Sequence, residues 1–316
     1  MRDPLKIVFM GTPDFAVESL KTLIEHDYNI VGVITAPDKP AGRGRQLQES
    51  AVKQFARSKG LNILQPTNLK DEGFIKELKA LQANLQIVVA FRMLPQVVWQ
   101  MPKYGTFNLH ASLLPNYRGA APIHWAIING ETTTGVTTFF IDDKIDTGAI
   151  ILQESTSIEP DETVGSLHDK LMHLGSALVL KTVNHIASGE VNTTLQAPTA
   201  ELKTAYKLNK DNCKIDWSAP LDTIYNKIRG LNPFPSAWCY LKNGDDLLTV
   251  KLFAIEKEEA HHQLEPGCIQ IKEHALFVAV NGGYMKVLEL QLPGKRKMDS
   301  KSLLNGFQFE ADAKLL

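Results

Sequence analysis

The sequence predicts an α/β protein in which a doubly wound, mostly parallel sheet is followed by a small antiparallel β-barrel. Its 316 residues are enough for about two domains. Over the first 190 residues, short apolar runs alternate with amphipathic segments, which is typical of strands that alternate with helices. Further along the chain the apolar runs stay short and turn residues separate them, which indicates antiparallel strands.

The first domain is predicted to span residues 1–189. Its opening run, Lys6–Met10, predicts a strand that is covered on both faces. Thr12-Pro13-Asp14 then predicts a helix with Thr12 as N-cap and Pro13 as first residue, running towards His26. Further strands are predicted at Asn29–Thr35, Leu85–Phe91, Thr106–Ala111, Val136–Ile141 and Ile150–Ser157, and further helices at Asp71–Ala83 and Val164–Ala187.

The second domain is predicted to span residues 208–316. Residues 190–207 lose both the helical and the strand periodicity and are interpreted as a linker. After the linker, short apolar runs and turn pairs such as Asn243-Gly244 predict a small antiparallel barrel or sandwich. The predicted strands are Val250–Ile255, Gly267–Ile271, Leu276–Val280 and Met285–Leu290.

Charge and composition exclude several classes of protein. The 34 Lys and Arg nearly balance the 35 Asp and Glu, so a polyanion would have to be met by a local basic segment. The three cysteines form no Cys-x-x-Cys pair, which argues against a disulfide framework and against a zinc module. The nine histidines form no His-Glu-x-x-His pattern, and we expect no metal.

The beginning of the chain contains no targeting signal that we recognise. Its only apolar run, Ile7–Gly11, is shorter than the core of a signal peptide, and no run in the chain approaches about 18 apolar residues. We therefore expect a soluble cytoplasmic monomer that does not interact with a membrane.

A group of polar residues follows the predicted strands and suits acyl-transfer chemistry. Asn108 and His110 are two residues apart on one strand, so both side chains lie on the same face. Asp146 precedes the turn Thr147-Gly148. An amide and an imidazole can stabilise an oxyanion while a carboxylate accepts a proton from an attacking amine. A strand-end Asn or His is more often a structural residue, so spacing alone leaves that alternative open.

Four segments around these residues have the order and spacing of one known family. They are Asn108–Pro115, Tyr117–Ile123, Gly135–Thr137 and Asp146–Gly148. On these residues the chain resembles the 10-formyltetrahydrofolate-dependent formyltransferases, which implies a Rossmann-like formyltransferase domain with Asn108, His110 and Asp146 as catalytic residues. The resemblance also implies that the formyl donor, 10-formyltetrahydrofolate, binds to Ser112, Leu113, Leu114 and Pro115 and to Phe91, Arg92, Met93 and Leu94.

Three further segments resemble the branch of this family that formylates initiator methionyl-tRNA for translation initiation. They are Phe9–Ala16, Thr35–Arg45 and Ile228–Trp238. The branch that acts on glycinamide ribonucleotide resembles only the first domain, so chain length favours the tRNA branch. The resemblance implies that Lys39, Arg43 and Arg45 bind the acceptor end of the tRNA and that an OB-like C-terminal barrel also holds the tRNA. His124 departs from the pattern, which has Gln there.

Three alternative functions can each be weighed against a feature of the sequence or against the acceptor that is used. A nicotinamide-dependent oxidoreductase would need a Gly-x-Gly-x-x-Gly turn, which Gly11–Ala16 lacks. A noncatalytic RNA-binding protein would be favoured by loss of a catalytic residue, but all of them are present. An amino-sugar formyltransferase of the same family would keep the catalytic residues and change the acceptor.

Overall fold

The computed structural model describes residues 3–41, 46–197 and 201–316. By their contacts these residues form two compact units. The first takes the described residues of Met1–Gly119, Thr134–Thr156 and His168–Thr204, and the second those of Ala120–Thr133, Ser157–Leu167 and Ala205–Leu316. Residues 120–133 and 157–167 therefore pack with the C-terminal part of the chain. The division into 1–189, 190–207 and 208–316 stays a prediction about sequence domains.

Along the described residues up to 188, helices are interspersed with single strands or short runs of strands. They are β1 (Lys6–Gly11), α1 (Asp14–Glu25), β2 (Asn29–Ile34), β3 (Lys39–Ala41), β4 (Gln46–Gln48), α2 (Ala51–Ser58), β5 (Ile63–Leu64), α3 (Glu72–Ala80), β6 (Leu85–Val89), α4 (Gln96–Trp99), β7 (Thr106–His110), β8 (Arg118–Gly119), α5 (Pro122–Ile128), β9 (Thr133–Phe140), β10 (Ile150–Ser157) and α6 (Val164–Ser188). After them come β11 (Thr204–Ala205), α7 (Leu221–Arg229), β12 (Ala237–Asn243), β13 (Asp246–Glu259), β14 (Ile269–Lys272), β15 (Ala275–Val280), β16 (Gly283–Gln291), β17 (Met298–Asp299), α8 (Ser300–Leu304) and β18 (Lys314–Leu315).

The first unit is built on a seven-stranded sheet with the order β10-β9-β7-β6-β1-β2-β5. β1 pairs in parallel with β2 and β6, β2 with β5, and β6 with β7, whereas β7 and β9 are antiparallel. The predicted doubly wound, mostly parallel sheet is confirmed. The strand order reverses between β1 and β6, and ligands of such sheets bind beyond the carboxyl ends of the strands at this point.

The sequence of β1 explains its central place, because Ile7, Val8, Phe9 and Met10 are all fully buried. The helix after it begins one residue later than predicted. Pro13 has an extended backbone (φ −82°, ψ 175°) and occupies the N-cap position, so Asp14 is the first helical residue and no side chain caps the helix. The prediction of Thr12 as N-cap was therefore wrong.

The second unit contains an antiparallel sheet with the order β14-β15-β16-β13-β12-β18, and β17 pairs with β16. An antiparallel bridge between Cys268, just before β14, and Lys314 of β18 joins the two ends of the sheet, which curls into a barrel. The predicted antiparallel barrel is confirmed. Helix α7 was not predicted, although Leu221, Ile224 and Ile228 have helical spacing and all three belong to the core of this unit.

Candidate active site

Asn108 and His110 lie on β7, near the middle of the seven-stranded sheet. β7 is held on one side by β6, where Val88 pairs with Asn108, and on the other by β9, where Thr137 pairs with His110. The residue between them, Leu109, is buried. The predicted common face for Asn108 and His110 follows from this strand geometry, and pairing on both sides fixes their separation.

The Asn108 side chain is half-buried and forms no hydrogen bond with any residue that the structure describes. Asn84, the residue just before β6, behaves differently: its Oδ1 accepts from the N–H of Lys6 at 2.7 Å and its Nδ2 donates to the carbonyl of Pro4 at 2.9 Å. Amides that are removed from water are normally paired. The Asn108 amide is therefore free to bind a ligand.

Both ring nitrogens of His110 face polar atoms of the protein. Its Nε2 lies 2.8 Å from the carbonyl oxygen of Tyr117, and because a carbonyl only accepts, Nε2 carries the proton. Its Nδ1 lies 3.7 Å from Oδ2 of Asp146, and the two side chains are only 7% and 15% exposed. In this position the imidazole can pair with the carboxylate, while Asn108 is the donor that remains for an oxyanion.

Asp146 reaches His110 through a turn that crosses the sheet. Phe140 at the end of β9 pairs with Phe107, so the chain leaves β9 at the amino end of β7 and returns towards His110. Asp146 itself has a left-handed backbone with φ of 56°, and its Oδ2 accepts from the N–H of Gly119 at 2.9 Å. The turn requires a glycine at 148, since a Cβ there would lie 1.7 Å from the carbonyl oxygen of Phe140.

The segment after β7 is held by two polar residues whose roles the sequence did not reveal. The hydroxyl of Thr137 donates to the carbonyl of Ser112 at 2.7 Å and accepts from the N–H of Leu114 at 3.1 Å. Gln153 of β10 donates to the carbonyl of Leu114 and to the Thr137 hydroxyl, both at 2.9 Å. The loop predicted to bind folate, residues 112–115, therefore has a fixed backbone.

The second predicted folate segment, residues 91–94, follows β6 at the switch point of the sheet. It comes after Ala90, whose φ of 48° turns the chain sharply, and its four backbone N–H groups form no hydrogen bond within the described residues. Met93 is 66% exposed. Arg92 acts differently from the others, because its guanidinium donates to the carbonyls of Thr67, at 2.9 Å, and Pro66.

The predicted basic loop is described only in part. Lys39 is exposed on β3, which pairs with β4, and it lines a cavity of about 660 Å³ together with Thr12, Pro13 and Ser50. Arg43 and Arg45 lie outside the described residues. Asp38 does not offset Lys39, because its carboxylate bonds to Lys53 and Gln65, and the hydrogen bond from Lys53 lowers the pKa of Asp38.

The second unit has its own cavity, of about 530 Å³, lined mainly by apolar atoms. Phe234 borders it and is 78% exposed, whereas Trp238 in the wall is buried and its ring lies 5.0 Å from the Lys210 ammonium. His124, which departs from the family pattern, has its Nε2 3.2 Å from the carbonyl of Phe234. The charged residues of the lining are the lysines Lys207, Lys210 and Lys251.

Within residues 3–41, 46–197 and 201–316, no group of three or more His, Cys, Asp or Glu side chains is arranged to hold a metal ion. No helix among these residues is both long enough and apolar enough to cross a bilayer.

Asn108 and His110 lie on a doubly wound sheet, Asp146 lies in a turn beside His110, and a small β-barrel follows in the chain; this fold and these side chains point to a two-part group-transfer enzyme. The chain belongs to the formyl transferase family. The family profile for the formyl transferase domain matches residues 5–183, and the profile for the formyl transferase C-terminal domain matches residues 207–308.

Full-length relatives support the same family. The methionyl-tRNA formyltransferase of Flavobacterium johnsoniae is 58% identical over 313 residues, covering 99% of both chains. That of Bacteroides fragilis is 54% identical over 311 residues, covering 97% of this chain and 96% of the relative. Among solved structures, the sugar 3N-formyl transferase WlaRD is similar in fold, with a TM-score of 0.65 and 21% identity over 93% of this chain and all of that one.

Proposed function

We propose that the protein transfers the formyl group of 10-formyltetrahydrofolate to the α-amino group of methionine on initiator tRNA, as a monomer in the cytoplasm. The full-length relatives that bear the name methionyl-tRNA formyltransferase support the acceptor. The unpaired Asn108 amide beside the His110–Asp146 pair is the observation that carries the chemistry. The three free cysteines fit a reducing compartment.

The reaction joins the methionine nitrogen to the formyl carbon and breaks the bond between that carbon and N10 of the folate. Asn108 donates a hydrogen bond to the formyl oxygen as negative charge develops on it, which is worth roughly 10²–10³ in rate. Asp146, held against His110, receives the proton that the amine loses, and the departing nitrogen takes up a proton, so none is consumed overall. An α-amino group has a pKa of about 7.7–8.0, so roughly 10–17% of it is neutral at pH 7, and this fraction attacks without a stronger base.

The donor site is formed by residues 91–94 and 112–115. The unpaired backbone N–H groups of the first segment suit the acceptor atoms of a heterocycle, and the exposed side chain of Met93 offers it an apolar face. Thr137 and Gln153 hold the second segment in place. Arg92 contributes to this site by hydrogen bonding to the carbonyls of residues 66–67, which fixes its segment against them.

The acceptor is bound by cationic residues of both units. In the first, Lys39 contributes with the neighbouring Arg43 and Arg45. In the second, the cavity beside Phe234 combines an exposed aromatic ring with the lysines of its lining, which suits a nucleotide that stacks its base and leaves its phosphate outside. This local arrangement provides the basic surface that the nearly neutral chain lacks on average.

The proposal is tested by giving the purified protein 10-formyltetrahydrofolate and either methionyl initiator tRNA or a nucleotide-linked amino sugar. Products are identified by mass, with methionyl elongator tRNA and uncharged initiator tRNA as controls. We expect formyl-methionyl-tRNA and no formylated sugar. A formylated sugar alone would replace the proposed acceptor, and no product with either acceptor would overturn the proposed activity.

A further inference from the structure

Gln196 lies in the segment 190–207 that lacks both periodicities, yet this segment is tied to the sheet of the first unit. The backbones of Thr194 and Ile150 exchange two hydrogen bonds, at 2.8 and 2.9 Å, at the start of β10. Leu195 is 82% exposed, whereas the next residue, Gln196, is half-buried. The bridge thus brings one polar side chain of this segment against the turn that contains Asp146.

The Gln196 amide uses its full hydrogen-bonding capacity. Its Nε2 donates to the carbonyl oxygens of Asp146, at 3.0 Å, and Gly148, at 2.8 Å. Its Oε1 accepts from Nε of Arg118 at 3.1 Å and from one terminal nitrogen of the same guanidinium at 2.6 Å. Carbonyls only accept and a guanidinium only donates, so these partners fix the orientation of the amide.

These bonds close a ring around Asp146. Arg118 precedes Gly119, whose N–H donates to the Asp146 carboxylate at 2.9 Å, while Gln196 holds the Asp146 carbonyl. A left-handed backbone is unfavourable at a residue other than glycine, and hydrogen bonds of this kind stabilise it at Asp146. Gly119 thus holds the carboxylate of Asp146 and Gln196 holds its carbonyl. The hydrogen bonds between Arg118 and Gln196 link these two segments to each other.

We propose that Gln196 is a positioning residue that holds the Asp146 carboxylate against His110 through the backbone of the turn. This rests on the proposed function, because it assigns Gln196 a role only if Asp146 acts in formyl transfer. Gln196 acts on the rate of the chemical step and not on the affinity for either substrate, since its four bonds all go to residues of the protein.

The test uses Gln196→Glu, which keeps the bonds that the side chain accepts from Arg118 and removes the bonds that it donates. A glutamate of the same length still accepts from Arg118, but it has no hydrogen to donate to the carbonyls of Asp146 and Gly148. We expect the single-turnover rate to fall about 10- to 100-fold, since small misplacements of a reacting group have effects of this size. KM for the donor and for the charged tRNA should stay within about twofold. A wild-type rate in Gln196→Glu would overturn the proposal.

The matched control is Gln291→Glu, which removes one amide-to-carbonyl bond, to Lys295 in the second unit, by the same chemical change. It should leave the rate unchanged, and a fall equal to that of Gln196→Glu would refute a specific role. A double-mutant cycle with Asp146→Ala gives a second readout. If Gln196 acts through Asp146, adding Gln196→Glu to Asp146→Ala should change the rate less than about twofold, whereas a general structural role would lower it again.

The cycle also separates this proposal from the proposed function. If Asp146→Ala alone keeps the wild-type rate, the catalytic role of Asp146 fails. If Asp146→Ala is slow and Gln196→Glu is not, only the role of Gln196 fails.

Discussion

Replacing Asn108 by alanine should reduce the rate of formyl transfer and leave the fold intact. The lost donor corresponds to about 10²–10³ in kcat/KM, or roughly 2.7–4 kcal/mol of transition-state stabilisation. Since the amide bonds to no described residue of the protein, its removal leaves no group unpaired, and the free energy of unfolding should change by less than about 1 kcal/mol. The rate is measured by rapid quench with saturating donor and charged tRNA, and the stability by urea unfolding.

Asn84→Ala is the matched control, because it removes a structural amide just before β6, the strand that pairs with β7. It breaks the bonds to Lys6 and Pro4, which together are worth about 2 kcal/mol, so the melting temperature should fall by roughly 4–8 °C with no change in rate. Asn108→Ala should therefore lower the rate and keep the stability, whereas Asn84→Ala should lower the stability and keep the rate. An Asn108→Ala enzyme that keeps its rate, or that loses as much stability as Asn84→Ala, would refute the assignment of Asn108 as the oxyanion donor.

Three further predictions concern other parts of the molecule. Burial raises the pKa of Cys239 to about 12, whereas an unfolded thiol ionises near 8.5, so between these values rising pH favours the unfolded chain. In urea titrations, the free energy of unfolding of the wild type should therefore fall by about 2 kcal/mol more than that of Cys239→Ala between pH 8 and 10. Equal losses in the two proteins would contradict this. Gly148→Ala places a Cβ against the Phe140 carbonyl and should displace the turn that contains Asp146, so formyl transfer should be at least about 10-fold slower. Fluorescence titrations should show that the affinity for the donor is retained. An unchanged rate would show that the turn tolerates the shift. Arg43→Ala should lower kcat/KM for charged tRNA and spare donor binding, and an unchanged kcat/KM would remove the basic loop from acceptor binding.

Local patterns in the sequence predict the strands of the first unit and the common face of Asn108 and His110. Continuous apolar runs identify buried parallel strands, and the period of two in a strand fixes which side chains share a face. The position of Asp146 does not follow from such patterns. Its approach to His110 depends on a turn that returns across the sheet, and the spacing within 142–149 does not specify that path.

The residues that hold the site were missed for a related reason. Thr137, Gln153 and Gln196 are polar residues whose partners lie 16 to 78 positions away in the chain, so the sequence around them does not specify their hydrogen bonds. Helix α7 is a different case. Its helical spacing is visible in the sequence, and the short strands around it directed the interpretation towards β structure alone.

The most direct test of the account is a single-turnover measurement on Asp146→Ala, with the enzyme in excess over methionyl initiator tRNA and with saturating 10-formyltetrahydrofolate. If Asp146 acts with His110 at the reacting amine, formation of formyl-methionyl-tRNA should be at least about 10²-fold slower than in wild type, while equilibrium binding of the donor is unchanged. A wild-type rate of product formation would contradict the assignment of this site to formyl transfer.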